Sequence, residues 1–515
     1  MNAPTFDLDQ ALEQAAMQLL RAEVIVPADR AQALELARDG LKAGHATKVV
    51  RLLAVLHRAL PHDPEVSLIY GVALRLDQRL DEAAEVFAQA RPGGPADAAL
   101  VEGLAQTRYE LGLPAAALFA EAQRAQPDNP DILRNRAAAM ASEGDFAGAD
   151  TLLEAELKRK PGWLAGQKAL ATLRWTSGDQ AQFDAGYATA ARAQANNKDL
   201  WLAWFGAVAQ ARDWVKTKAV LDNATTCFGD IPPLLTARLF VACETGDDAA
   251  AEDLFKRTAN LRGDTVSLCR VRWCLKQGRI AEAESLCSQL VTTASAALFL
   301  PYLSLAWRTL GDERWIWLDR PEDTIRAVAV DLSNGEYAEL AEVLRGLHTM
   351  DRPYAEQSVR GGTQTDRSVI LRHEPIIHKA RSAWMEAIRG YVAALPPHEE
   401  GHPLLGLPRG ELYVEGSWSV RLLGQGYNVP HNHPAGWLST AFYIALPDAM
   451  GAPPAGHIAF GTPPEELGLN LDPYATITPK VGESAVFPSY LWHRTMPFAH
   501  GERLVLALDV RRPRR

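Results

Sequence analysis

The stretch Ala115-Ala116-Ala117-Leu118-Phe119 is echoed by Ala147-Gly148-Ala149-Asp150-Thr151-Leu152-Leu153, which sets Leu153 34 residues after Phe119. Both segments are rich in alanine and leucine, with small residues where two helices would cross. Turn residues keep the same time: Gly44, Gly112, Gly144, Gly178, Gly246, Gly278 and Gly311, with Gln78 and Arg212 at the beats that lack glycine. Successive steps are 34, 34, 32, 34, 34, 34, 32 and 33 residues. Pro61, Pro92, Pro127 and Pro161 fall between the units. Phe87, Phe119, Leu153, Leu221, Phe255 and Leu286 fall at or near the place where the second helix of each unit would meet its neighbour. One helix pair cannot bury its own apolar face, so this period predicts stacked pairs forming a superhelix with a concave groove.

The pattern resembles the tetratricopeptide repeat, degenerate in its consensus residues but sustained through residue 315. Such grooves hold peptides or partner proteins; the solenoid could instead serve only to position or dimerise the C-terminal domain. After Gly311 the period stops, prolines become denser, and ten of the 13 histidines lie beyond residue 340. Helical spacing persists over Tyr337–Leu347 and Ile376–Leu395. Strand-like runs come next at Trp418–Leu423, Leu438–Leu446, His457–Phe460, Ser484–Pro488 and Leu504–Val510, separated by Gly and Pro. The fold class is therefore α+β: an all-α superhelix over 1–315, then a jelly roll (double-stranded β-helix) with supporting helices over 316–515.

Composition narrows the function. At 515 residues the chain exceeds what one core supports. A net charge of −10 and a pI near 5.8 argue against a nucleic-acid binder. The basic tail Arg511-Arg512-Pro513-Arg514-Arg515 reads as a solvated terminus. Residues Met1–Glu13 show no secretory pattern and no window approaches 18 apolar residues, so a cytoplasmic protein without a membrane span is expected. The five cysteines (Cys227, Cys243, Cys269, Cys274, Cys287) lack paired metal-type spacing and read as buried reduced thiols.

The chemistry gathers in Pro430-His431-Asn432-His433-Pro434 and the distal His493. In a strand, residues i and i+2 share a face, so His431 and His433 can both face a barrel interior, with His493 brought opposite. Neutral imidazole suits iron, zinc and copper. Arg503, ten residues past His493, is placed to hold a carboxylate beside such a metal.

The segment from about Pro353 to Arg511 resembles the iron(II)- and 2-oxoglutarate-dependent oxygenases, in particular a bacterial branch often joined to tetratricopeptide repeats. The matching pieces are Gln357-Ser358-Val359-Arg360-Gly361-Gly362-Thr363-Gln364-Thr365, His431-Asn432-His433-Pro434, Leu438-Ser439, Phe442-Tyr443, Gly456-His457-Ile458-Ala459-Phe460 and Phe487-Pro488-Ser489-Tyr490-Leu491-Trp492-His493. Their order and spacing also resemble prolyl hydroxylases. The resemblance implies that His431 and His493 ligate Fe(II) and that Arg503 pairs with the distal carboxylate of 2-oxoglutarate. Tyr443, and less directly Tyr427, would donate to that carboxylate.

One departure stands out. His433 occupies the position where the family's second ligand is usually a carboxylate. Either three histidines hold the metal, or the register shifts so that His433 is the first ligand and Ala435 marks an open position, as in the family's halogenases. The Gln357–Thr365 segment is expected to form a loop near the site, with Arg360 either meeting an anion or tying the loop down. Its glycine pair is not a phosphate loop, since no Lys-Ser or Lys-Thr comes after it.

The expected function is a 2-oxoglutarate dioxygenase that consumes O2 and hydroxylates a peptide or protein side chain held in the repeat groove. The alternatives are a repeat-based scaffold with a non-catalytic oxygenase-like domain, and a three-histidine iron dioxygenase that does not use 2-oxoglutarate.

Overall fold

A computed structural model describes residues 7–22, 24–90 and 98–513; Pro92 and the tail residues Arg514 and Arg515 lie outside them. The chain separates into two compact units, one of residues 1–159 with 371–374, the other of residues 160–370 with 375–515.

In the first unit an opening helix, Leu8–Arg21, precedes four helix pairs: Pro27–Ala43 with Ala46–Ala59, Pro64–Leu76 with Leu80–Gln89, Ala98–Glu110 with Ala116–Ala125, and Pro130–Ser142 with Phe146–Arg159. Local chemistry starts and stops them. Asp63 accepts from the backbone N–H of Glu65 and Val66 with Pro64 at the first helical position, and Asn129 accepts from Asp131 with Pro130 in the same place. Each pair then reverses on one residue of left-handed backbone. Every turn marker from Gly44 to Gly311 has φ between 56° and 93°, including the non-glycine Gln78 and Arg212. Phe87, Phe119 and Leu153 are buried, as their place in the period requires. Phe87 fills space that two glycines leave: a Cβ at Gly71 or Gly103 would lie 2.5 or 2.6 Å from its ring.

The second unit opens with the same architecture: Leu164–Thr176 with Ala185–Ala193, Lys198–Gln210 with Trp214–Phe228, Pro232–Thr245 with Asp248–Arg257, Asp264–Lys276 with Ile280–Leu290, and Ala296–Leu310 followed by Arg314–Asp319. Leu221 and Phe255 are buried here and Leu286 is half-buried. Cys269, Cys274 and Cys287 are buried free thiols and Cys243 is half-buried, but Cys227 is exposed, which corrects the expectation for that residue.

Nine strands complete this unit: β1 (Arg326–Ala329), β2 (Val359–Gln364), β3 (Val414–His431), β4 (Gly436–Ala445), β5 (Ile458–Phe460), β6 (Ala475–Ile477), β7 (Glu483–Pro488), β8 (His493–Thr495) and β9 (Glu502–Arg511). All pairings are antiparallel, in the order β1-β7-β4-β9-β3-β8-β5-β6, with β2 also on β3. β3 decides the topology. Its first half pairs with β9 from Val414 to Leu423; the chain then bends at Gly424-Gln425-Gly426, where Gln425 has φ 68°, and His431 pairs with His493 on β8. One strand thus belongs to both sheets of a jelly roll. Residues 359–364, expected as a loop, form β2 instead, because their backbone completes the edge of β3.

The outer face of the larger sheet is covered by helices Asn334–Gly346 and Pro375–Ala394. Phe442 meets Tyr337 at 6.0 Å and Trp384 at 5.3 Å between ring centroids, and Trp384 Nε1 donates to Ser484 Oγ at 3.0 Å. The last long repeat helix shares this core: Trp492 Nε1 donates to the Pro301 carbonyl at 3.1 Å, and Trp492 meets Tyr302 at 5.5 Å. Repeat helices give way to strands between Arg314 and Arg326, whereas the compact units divide at residue 159. No helix among the described residues is long and apolar enough to cross a membrane.

Gly144 tests the turn argument, because a Cβ there would meet nothing within 4 Å while φ is +93°. Gly144→Ala should lower unfolding stability by about 1–2 kcal/mol through backbone strain alone, read from denaturant melts. Unchanged stability would show that these turns do not depend on left-handed backbone.

Candidate metal centre

β3 and β8 bring His431 and His493 into direct register, and the turn after β3 returns His433 beside them. The three imidazoles each offer a nitrogen within 4.8 Å of the others. Ring centroids are 4.2 Å apart for His431–His493, 5.1 Å for His431–His433 and 5.2 Å for His433–His493.

Hydrogen bonding fixes which nitrogens are available. His431 Nδ1 lies 2.8 Å from the Val429 carbonyl, His493 Nδ1 lies 3.0 Å from the Leu491 carbonyl, and His433 Nδ1 lies 2.6 Å from Asp509 Oδ2. Carbonyl and carboxylate oxygens only accept, so each Nδ1 carries the proton and each Nε2 presents a lone pair. His433 Nε2 is buried with no hydrogen-bond partner, as an empty ligand position would be. His431 Nε2 has only the Ser358 hydroxyl, at 3.4 Å. Burial, reinforced by the neighbouring His433, pushes His431 down to about 3, and burial pushes His493 well below the usual imidazole value. Both are therefore neutral at physiological pH, the state that binds a metal.

Asp509 is held in turn. The Ser439 hydroxyl donates to its Oδ1 at 2.6 Å, and Ser489, whose carbonyl accepts from His433 N at 2.8 Å, joins the network at 3.0 Å. Trp418 stacks on His433 at 5.5 Å and Phe487 closes on His493 at 4.7 Å.

Arg503 lies on the same face of β9 as Asp509, six residues earlier, or about 20 Å of extended strand at ~3.3 Å per residue. Its guanidinium sits 5.1 Å from the centre of the Tyr443 ring. Arg503 is 2% exposed and its Nε has no partner; the fully buried Tyr443 side chain lies beside the guanidinium, and the two groups attract each other. Among the described residues no carboxylate pairs with Arg503, and burial lowers its proton affinity. Between these groups and the histidines the interior face carries little: Ala441 stands opposite Ala485 on β7 and opposite Ala507 on β9. The three alanines form one row across β7, β4 and β9, and Val505 lies between Ala507 and Arg503 on the same face of β9.

The other expected residues are less central. Tyr427 is half-buried opposite Arg360 and joins neither the histidines nor Arg503 in a hydrogen bond or ring contact. Arg360 Nη1 donates to the Gln357 and Val359 carbonyls at 2.9 and 2.8 Å, so it ties the segment down. Ala435 is exposed. Sequence reasoning missed Asp509, Ser439 and the alanine row. Asp509 alone had a visible signal, as the one acid in the apolar run Leu504–Val510. It also missed the mouth of the site, a cleft of about 480 Å³ where His431, His433 and Trp418 face Ala209, Trp214 and Phe240 of the repeat helices.

Residues 416–509 match the family described as "Putative 2OG-Fe(II) oxygenase". That match covers 94 of the 515 residues, and it is to this part of the chain that the likeness applies. Among solved structures, the chain is similar to a tetratricopeptide repeat protein from Parabacteroides merdae, at 14% identity over 50% of this chain and 99% of the other, TM-score 0.30. It is also similar to HygX from Streptomyces hygroscopicus, solved with nickel, 2-oxoglutarate and hygromycin B, at 12% identity over 38% and 85%, TM-score 0.27. A third is an oxidoreductase of the 2OG-Fe(II) oxygenase family from Burkholderia pseudomallei, at 13% identity over 40% and 89%, TM-score 0.25. These are weak whole-chain likenesses, and the reading of the site rests on its geometry and on the family match. No curated protein matches the chain.

Two buried neutral imidazoles give the metal-free protein a defined pH response. The unfolded chain takes up protons on these histidines below about 6.5, whereas folded His431 does so only near 3, so stability falls as pH drops through that window. Denaturant melts of metal-free protein between pH 7 and 5, above the range of ordinary carboxylates, should show this loss, and His431→Gln should make it shallower. A flat profile for the wild type would mean the imidazoles are not held neutral.

Proposed function

We propose that this protein is a 2-oxoglutarate-dependent Fe(II) oxygenase that hydroxylates a side chain of a peptide or protein brought in along the repeat helices of residues 1–315. The observation that carries the reading is Arg503. A buried guanidinium without an anion is costly, by several kcal/mol, and the Tyr443 ring returns about 2 kcal/mol of it. A dicarboxylate held between the imidazoles and the guanidinium, across the alanine row, would give Arg503 a bidentate partner and the Tyr443 hydroxyl an acceptor. The donor set fits the family's metal on one side and its cosubstrate on the other.

The residues then divide the work. His431, His433 and His493 would hold Fe(II) through Nε2, and Asp509 would fix the tautomer and orientation of His433. Bound Fe(II), with 2-oxoglutarate and O2, supplies an oxidant strong enough for an aliphatic C–H bond. Trp418, Phe487 and the surrounding apolar strands limit water at the centre. The presence of His433 where a carboxylate is usual favours a second reading, a three-histidine iron dioxygenase without 2-oxoglutarate. Arg503 separates the two, because that reading gives the buried guanidinium nothing to bind.

Anaerobic titration with Fe(II) and then 2-oxoglutarate, followed by visible absorption, tests the assignment. Wild type should develop a metal-to-2-oxoglutarate charge-transfer band, and His433→Ala should lose it. Arg503→Ala and Ala507→Leu should each raise the 2-oxoglutarate concentration required by about tenfold or more while leaving Fe(II) affinity unchanged. A wild type without any band would falsify the 2-oxoglutarate reading. In the same titration Asp509→Asn should weaken metal affinity by about 10–100-fold. Equal metal affinity in that variant would remove Asp509 from the site.

A further inference from the structure

The cleft at the metal centre does not end there. On the first helices of three successive repeats, Lys198–Gln210, Pro232–Thr245 and Asp264–Lys276, a second cavity of about 450 Å³ is lined by Leu202, Phe205, Pro233, Ala237, Phe240 and Thr265. It shares Ala209, Gln210 and Phe240 with the mouth of the metal site. Phe240 is the common wall and the centre of an aromatic group, 6.4 Å from Phe205 and 6.2 Å from Trp214. All three rings are half-buried; Phe205 lines this cavity, Trp214 lines the mouth of the metal site, and Phe240 lines both.

The polar groups say what chemistry belongs there. The cations at the mouth are already engaged: Arg212 pairs with Glu466 at 2.7 Å and Arg360 holds backbone carbonyls. Glu244 is neutralised by Arg272 at 3.0 Å, and Glu356 stands exposed at the rim without an ion pair. A phosphate or polyanion would meet no free cation. The groups that remain open are amides. Gln210, Gln364 and Asn432 line the mouth, and none makes a side-chain hydrogen bond among the described residues. An amide side chain both donates and accepts, the same pair of functions that every peptide group requires.

We propose that the two cavities form one substrate channel for an extended polypeptide, with an apolar side chain anchored against Phe205 and Phe240 a few residues from the side chain presented to the metal centre. An extended chain puts side chains i and i+2 on one side about 7 Å apart, the kind of step needed to pass from one cavity to its neighbour across a shared wall. Cavities of this size each take a side chain, and a half-exposed aromatic cluster is where binding energy concentrates. The proposal rests on the oxygenase reading for what happens at the metal, but not for binding.

Selection of a randomised dodecapeptide library on the intact, metal-free protein tests binding apart from turnover. Wild type should enrich peptides sharing one aliphatic or aromatic position. Phe240→Asp and Thr236→Arg, one in the shared wall and one on the cavity rim, should each weaken those peptides by about tenfold or more. Val215→Asp, on the same repeat but 84% exposed and outside both cavities, should leave them unchanged. Melting temperatures of all variants are compared with wild type, and Thr236→Arg decides the matter if Phe240→Asp is misfolded. The proposal is overturned if no peptide is enriched, if the enriched peptides share no apolar position, or if they bind Thr236→Arg as tightly as wild type. A missing charge-transfer band with intact peptide selection would remove the oxygenase reading and leave the channel standing.

Discussion

A buried positive charge with no acidic partner is the constraint around which the C-terminal domain is organised. Arg503 sits on a central strand between β3 and β4, where apolar residues on the opposite face, Leu504, Leu506 and Leu508, are fully buried. That position is rigid and dry, so the guanidinium cannot reach water as a surface arginine would. Its neighbours do not neutralise it: the Tyr443 ring lies 5.1 Å away, and a row of alanines crosses the same face. A stable interior usually removes such a defect. The dicarboxylate proposed above would supply the missing anion.

β3 links that container to the metal centre. Its first half lies beside β9 and so beside Arg503; its second half carries His431 into register with His493. The bend at Gly424-Gln425-Gly426 transfers the strand from one sheet to the other. The distance between guanidinium and imidazoles is therefore set by backbone pairing rather than by flexible side chains, which is how a site that holds both ends of one ligand keeps its tolerances.

What could be read from the sequence divides along the range of the interactions involved. The repeats were legible because their turns depend on the conformation of single residues, and even Gln78 and Arg212, lacking glycine, adopt the left-handed backbone that the period demands. The three histidines and Arg503 were legible as spacing on strands. β5 was legible as the run His457–Phe460, but β6 and β8, also of three residues each, are too short for alternation to show, and β2 is a strand only because β3 offers an edge. Asp509 was hidden for a different reason: its role depends on pairing with Ser439 across β4, information that no linear pattern contains. The cleft beneath Phe240 needed the repeat helices and the sheet to be seen together.

His433 gains its meaning from that hidden pair. Under the proposed assignment, this chain would set against the metal not a carboxylate but an imidazole whose far nitrogen donates to one. The negative charge has moved outward by the width of a ring rather than vanished. A hydrogen-bonded Asp–His pair raises the basicity of the nitrogen facing the metal and fixes its tautomer, so it restores part of the charge compensation that direct ligation would give. The interior then holds the Asp509–His433 pair at one end, the Arg503 guanidinium at the other, and the imidazoles of His431 and His493, which burial keeps neutral. Such a field favours a ligand with one end at the metal and a carboxylate at the guanidinium, which is the orientation that the alanine row leaves room for.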